Sequence, residues 1–143
     1  MTQQAFTIRP ARWPEDEEQL RLVREKVFVV EQKVPLELEW DGLDSQCLHL
    51  LAEDDQGDPI GTARLLPDGH IGRMAVLKPW RGRGVGTALL NALMQEGRRR
   101  GLSVLLLNAQ ITAIPFYEKA GFKAEGGVFE EAGIPHRRMV WRP

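Results

Sequence analysis

The chain has 143 residues, 43% of them hydrophobic and 27% charged, with a formal net charge of -1. That length and balance fit one globular domain, residues 1–143, with a core of its own, and they exclude a mainly disordered chain. The near-neutral charge offers nucleic acid no general attraction, the single cysteine excludes an intramolecular disulfide and a multi-cysteine metal site, and no apolar run is long enough to cross a membrane. With no charged-then-apolar leader at its start, the chain reads as cytoplasmic, with neither nucleic acid nor membrane among its partners.

Phe6-Thr7-Ile8-Arg9 alternates apolar and polar, which predicts a short first strand. Pro14 followed by Glu15, Asp16, Glu17 and Glu18 predicts a helix start, because proline sacrifices no hydrogen bond in a first turn and acids complement the helix dipole. Leu20, Val23, Val27 and Val30 recur at helical spacing and predict one core-facing side, with Pro35 as the stop. Val34 to Leu43 reads as a loop or a short second helix. Its Glu37, Glu39 and Asp41 alternate with Leu36, Leu38 and Trp40, which permits a partly buried acidic wall or a solvated loop anchored by its apolar residues. Cys47 is expected in a core strand.

Leu48 to Ala52 and Ile60 to Leu66 predict two strands, and Pro67-Asp68-Gly69 predicts a tight hairpin into a fourth, His70 to Leu77. That strand leads into Trp80-Arg81-Gly82-Arg83-Gly84-Val85-Gly86-Thr87-Ala88-Leu89. Alternate glycines let the backbone turn sharply, the N–H groups of the following helix start would face an anion, and Arg81 and Arg83 bring fork-shaped positive charge. The stretch lacks the lysine of a Walker loop, and its Gly-x-Gly-x-Gly spacing is not the dinucleotide fingerprint. The glycines alone therefore allow either a turn before an ordinary helix or a site for a phosphate-bearing cofactor.

Val85, Ala88, Leu89, Ala92 and Leu93 predict the apolar stripe of the next helix, closed by Arg98 to Arg100 and Gly101. Val104 to Leu107 is expected as a central strand buried on both faces, reached by a parallel crossover. Thr112 as N-cap, Pro115 in the first turn and Gly121 as stop predict a short helix. Phe122 to Gly126 and Arg137 to Trp141 predict a last pair of strands with a long connection between them.

The fourth strand, the glycine stretch continuing to Leu90, the helix, the apolar strand and Phe116-Tyr117-Glu118-Lys119-Ala120-Gly121-Phe122 follow one another in an order that resembles the GNAT superfamily of acetyl-CoA-dependent N-acetyltransferases. Val27 to Gln32 and Glu131 to His136 resemble the small bacterial ElaA-like branch of that superfamily. The resemblance implies an α/β (α+β) fold with a mixed central sheet of about six to seven strands, about four helices and a splay between strands 4 and 5. It implies acetyl-CoA as cosubstrate, no metal, an amine-bearing small molecule or peptide as acceptor, and a possible homodimer. Arg81 and the amides of Arg83, Gly84, Val85 and Gly86 would hold the pyrophosphate, with Gly82 and Thr87 in the same cradle. Met74, Ala75 and Val76 would pair with the pantetheine arm, and Asn108 and Tyr117 would lie near the thioester.

Attack of an amine on a thioester requires loss of a proton by nitrogen and, at departure, a proton for sulfur. Tyr117 is the expected acid, since a phenol with pKa ~10 remains protonated at neutral pH. A backbone N–H near Val76 would polarise the carbonyl. Superfamily members often carry a glutamate on the fourth strand, and His70-Ile71-Gly72-Arg73-Met74-Ala75-Val76 has none. Glu31 and His136 are the first candidates for the base, with Glu37, Glu39 and Glu130 behind them, and a water relay with no indispensable base is the expected route. That gap also leaves open an acyl-CoA-binding module without catalysis.

Overall fold

A computed structural model describes residues 5–142. β1 (Phe6–Ala11) leads to α1 (Glu17–Arg24), which runs on as π-helical turns over Glu25–Glu31. α2 (Leu36–Glu39) is one turn long and precedes the strands β2 (Leu48–Asp54), β3 (Pro59–Leu65) and β4 (Ile71–Val76). After the glycine stretch come α3 (Val85–Arg99), β5 (Leu105–Gln110), the short α4 (Ile114–Glu118), β6 (Lys123–Glu131) and β7 (Ile134–Trp141).

The expected strands and helices are present, and the α+β class holds, but the sheet is not one continuous mixed layer. Strands β1-β2-β3-β4 form an antiparallel sheet and β5-β7-β6 a second one. A parallel bridge between His70 and Leu106 joins them. Beyond it β4 and β5 diverge, because a bulge bends β4 while β5 takes its partner, β7, on the other edge. Gly69 stands at this joint with φ +101, and its carbonyl accepts a hydrogen bond from the Leu106 N–H at 3.0 Å. A Cβ there would lie 2.6 Å from the Val104 carbonyl oxygen. Gly69→Ala is therefore expected to cost at least ~1–2 kcal/mol, from the left-handed backbone alone, in a urea titration. A midpoint equal to wild type would show that the joint yields freely.

α1 covers one face of the first sheet and α3 the other, so the strand buried along its length is β3, not β5. β5 alternates buried and open positions, with Leu105, Leu107 and Ala109 inside and Asn108 outside. The main core joins Val85, Leu89, Leu90, Leu93 and Met94 of α3 to Ile60, Ala63 and Leu65 of β3 and Leu105 and Leu107 of β5. The α3 stripe is thus wider than the expected one, because the helix packs across both sheets.

Local corrections follow from the same packing. Val30 is exposed although Leu20, Val23 and Val27 are buried, since π winding advances each residue less than α winding and carries position 30 off the core face. The segment after it is inverted relative to its hydrophobicity: Leu36 and Leu38 are exposed and Glu39 is buried. Pro35 opens α2 rather than ending α1. Cys47 lies half-buried just before β2, its thiol directed to the Leu43 carbonyl. Ile111–Ala113 is a 3-10 turn, so Thr112 caps nothing and Ala113 precedes α4. β6 and β7 extend to a tight Ala132-Gly133 turn in place of the expected long connection.

Candidate active site

The site forms where the two sheets part. In β4, Arg73 and Met74 stand opposite Ala63 alone, because Thr62 faces Ala75 and Arg64 faces Gly72. Arg73 accommodates this bulge with φ +50, a left-handed conformation that costs an arginine energy and persists only when its surroundings hold it. The Thr62 hydroxyl donates to the Arg73 carbonyl at 3.0 Å, and the Arg73 guanidinium reaches the Glu39 carbonyl at 3.1 Å and Asp41 Oδ2 at 3.2 Å.

A cleft of about 640 Å³ opens over the bulge between β4 and β5. It brings together Met74, Ala75, Val76, Arg81, Asn108, Tyr117 and His136, which the sequence had marked on five separate segments. Gly82 to Thr87 stand outside the cleft, at the start of α3 just past Arg81. Gly84, with φ +87, is the N-cap of α3; no side chain caps the helix, and the N–H groups of Val85, Gly86 and Thr87 have no carbonyl one turn back. Open space surrounds the positions a Cβ would take at Gly82 and Gly84.

Arg81 is engaged internally. Its two terminal nitrogens hold the Glu31 carboxylate at 2.6 and 2.8 Å, and its Nε donates to the Val76 carbonyl at 3.0 Å. The hydrogen bonds from Arg81 keep the Glu31 carboxyl below the usual glutamate range. Asn108 donates to Glu131 Oε1 at 3.3 Å. His136 is buried, stacks on Phe129 and places Nδ1 2.6 Å from the Ile134 carbonyl. A carbonyl can only accept, so Nδ1 carries the proton and Nε2, 3.7 Å from Glu131 Oε2, presents a lone pair when the ring is neutral. The Tyr117 hydroxyl has only the Met74 thioether, at 3.7 Å, within reach among the described residues, and burial pushes its pKa up to about 12.

On the other flank of the bulge lies a charge network not anticipated as such. Arg24 of α1 donates from Nε to Glu39 Oε2 at 2.6 Å and from a terminal nitrogen to Asp44 Oδ1 at 2.8 Å. Arg64 of β3 joins Asp44 at 3.1 Å and holds both oxygens of Asp41, at 3.0 and 2.8 Å. Arg73 of β4 closes the set with Nε 3.1 Å from Glu39 Oε2. Trp40 lies against Arg21 and Arg24, 4.5 and 4.7 Å from its ring centre. The detectable sign was Arg24 itself, four residues after Leu20 and one after Val23, on the core face of α1, where a charge demands a buried counter-charge.

Burial pushes the Glu39 carboxyl above its usual range against the pull of Arg73, Arg24 and Arg64. Asp41 behaves oppositely. Burial raises it, but the Arg64 fork, the Leu43 N–H and Arg73 outweigh this and bring its pKa down to about 2. A carboxyl depressed on folding contributes stability above its unfolded pKa of ~3.9 and loses it as pH falls through the folded value. The urea midpoint is thus expected to fall between about pH 4 and pH 2, and less steeply in Asp41→Asn. Parallel curves for the two proteins would remove Asp41 from the acid response.

The parting of the two sheets thus leaves a strand edge open close to the helix-terminal donors of α3. Residues 14–143 match the family model for acetyltransferase (GNAT) domains. The chain belongs to that family. Among its relatives is a Bacillus subtilis protein named uncharacterized N-acetyltransferase YjcF, 41% identical across 87% of this chain and 94% of the relative. Similar solved structures include an acyl-CoA N-acyltransferase from Pseudomonas aeruginosa, 33% identical with a TM-score of 0.84, covering 97% of this chain and 99% of that one. ElaA of Escherichia coli superposes with a TM-score of 0.86 at 27% identity, over 95% of this chain and 99% of its own.

Proposed function

We propose that the protein transfers an acetyl group from acetyl-CoA to a primary amine of a small molecule or peptide. The observation that carries this reading is the cleft, lined by β4 at its bulge and by the half-buried Tyr117, with Arg81, which also lines it, leading directly into the uncapped α3 N-terminus. The residues fit coenzyme A: unpaired helix-terminal N–H groups and Arg81 suit a pyrophosphate, and divergent strand edges suit an amide-bearing arm. Bound there, acetyl-CoA supplies an activated acyl carbon. Arg83, Gly84, Val85 and Gly86 bind through backbone N–H groups, with Gly82 and Thr87 completing the cradle. Met74, Ala75 and Val76 orient the arm, Asn108 borders it, and Tyr117 holds the proton required by the departing sulfur. Glu31, paired with Arg81 and held ionised, is a weak proton acceptor.

Release of free thiol from acetyl-CoA in the presence of an amine panel tests the reading. Acetylation of at least one amine supports it. Tight coenzyme A binding with no acetylation across the panel would favour the alternative, an acyl-CoA-binding module, which the lack of a glutamate on β4 would suit. The engagement of Arg81 carries its own expectation. A phosphate must compete with the Glu31 carboxylate for the same guanidinium, so Glu31→Gln should tighten coenzyme A binding by roughly tenfold or less, since an exposed ion pair is worth ~1 kcal/mol or below. Calorimetry reads this directly, and unchanged or weaker binding would mean that Arg81 remains with Glu31 as a strut.

A further inference from the structure

We infer that Glu39 Oε1 is the acceptor-amine anchor and proton acceptor of this enzyme, and that the acceptor is a cationic primary amine on an apolar body without a neighbouring carboxylate. The inference rests on the acetyl-transfer reading above. Glu39 is 97% buried, with a relative exposure of 3%, and lines the cleft. The Arg24 hydrogen bond and the closest approach of Arg73 both fall on Oε2. Among the described residues no donor hydrogen-bonds to Oε1, and Oε1 is not among the orphaned polar atoms sealed from solvent, so it opens on the cleft.

Position supports the role. Arg73 and Met74 are the two residues of the bulge: Arg73 touches Glu39 and Met74 touches the Tyr117 hydroxyl. A carboxylate and a phenol therefore bracket the strand whose edge would hold the thioester, one on the acceptor flank and one on the sulfur flank. The chain has no glutamate on β4, and α2 delivers one to the same bulge from outside the strand.

The acceptor arrives as an ammonium and gives one proton to Glu39 Oε1, which passes it to solvent. Its nitrogen lone pair forms the C–N bond to the acetyl carbon while the C–S bond breaks and sulfur leaves with the electron pair. Tyr117 gives sulfur its proton and is repaid by the second proton that nitrogen loses in becoming an amide.

The surrounding charges set the acceptor class. Glu39 is faced by Arg24 of α1, Arg64 of β3, Arg73 of β4 and the carboxylates Asp41 and Asp44, while His49 bonds the Asp44 carbonyl and His70 lines the cleft mouth. Each of the three guanidiniums already has carboxylate partners, so an acceptor carboxylate would find no free cation and would meet Asp41 and Glu39. The spare capacity is an acceptor oxygen, which an ammonium fills. Val27, Phe28, Val34 and Leu38 furnish the apolar wall for its body.

The test uses matched probes, phenethylamine against phenylalanine and isoamylamine against leucine, in the thiol-release assay. The amines are expected to exceed the amino acids in kcat/KM by roughly tenfold or more, the discrimination produced by a repelled charge. Glu39→Gln should lower kcat about 10²-fold or more and abolish the acid limb of the kcat/KM profile, which burial places above the ordinary carboxylate range. Glu39→Asp keeps the charge and withdraws the oxygen by a methylene, so it guards against a folding defect in the amide variant; its coenzyme A affinity should match wild type while its amine kcat/KM falls about tenfold or more. Preference for the amino acids, or a Glu39→Asp enzyme with normal kcat/KM, overturns the inference and leaves acetyl transfer standing. Failure of every amine with coenzyme A still bound overturns the transferase reading and this inference together.

Discussion

Tyr117→Phe is expected to lower kcat about 10²- to 10⁴-fold, the range for loss of a positioned general acid, with coenzyme A affinity and thermal midpoint essentially unchanged. The separation between activity and stability is what makes the experiment informative. A tyrosine that serves only packing keeps its ring in the phenylalanine variant, and the ring contacts of Tyr117 with Phe116 and Phe122 do not involve the hydroxyl. That hydroxyl has a thioether partner at 3.7 Å, a weak acceptor whose loss costs little. Burial, which drives the phenol up to about pKa 12, keeps it protonated through the working range, so the proton is present whenever sulfur departs. The readout is single-turnover thiol release alongside calorimetry for coenzyme A. Wild-type turnover with every accepted amine would remove Tyr117 from the chemistry and leave sulfur to take its proton from water.

The largest stability effect should come from Arg24. Arg24→Ala is expected to cost ~3–5 kcal/mol, because it takes from the buried Glu39 and Asp44 the nearest of their guanidinium partners and leaves Arg73 and Arg64 alone to balance them. The arginine is 1% exposed and is held by carboxylates at 2.6 and 2.8 Å, so water cannot take over its role. Arg21 makes a suitable contrast on the same helix. It pairs with Glu17 at 2.9 Å, yet its side chain is 42% exposed and solvent substitutes readily. Arg21→Ala should cost less than ~1 kcal/mol. Urea titrations of the two variants decide the matter: equal losses would mean that the buried network contributes nothing beyond a surface pair.

The sequence alone determined the order of the strands and helices, because turn residues and hydrophobic periods are local signals: Asp68-Gly69 before β4, the Val85 to Leu93 stripe of α3, and Gly101 at its close. It also marked the glycine cradle and Tyr117, whose residue types announce their chemistry before any fold is known. Four things needed the tertiary structure. The parting into two sheets depends on which edges of β4 and β5 find partners, a long-range matter that no local pattern encodes. β3, with Gly61 and Arg64 in it, does not read as the strand buried on both faces, yet α1 and α3 close over it. Glu39 lies inside and Leu36 and Leu38 outside because Arg24 and Arg73 outbid hydrophobicity for that position, and those arginines arrive from elements far away in sequence. Arg81 carries the charge for a phosphate, as its sequence position suggests, but only the folded chain brings Glu31 against it, since the ends of α1 and β4 meet through packing across the first sheet.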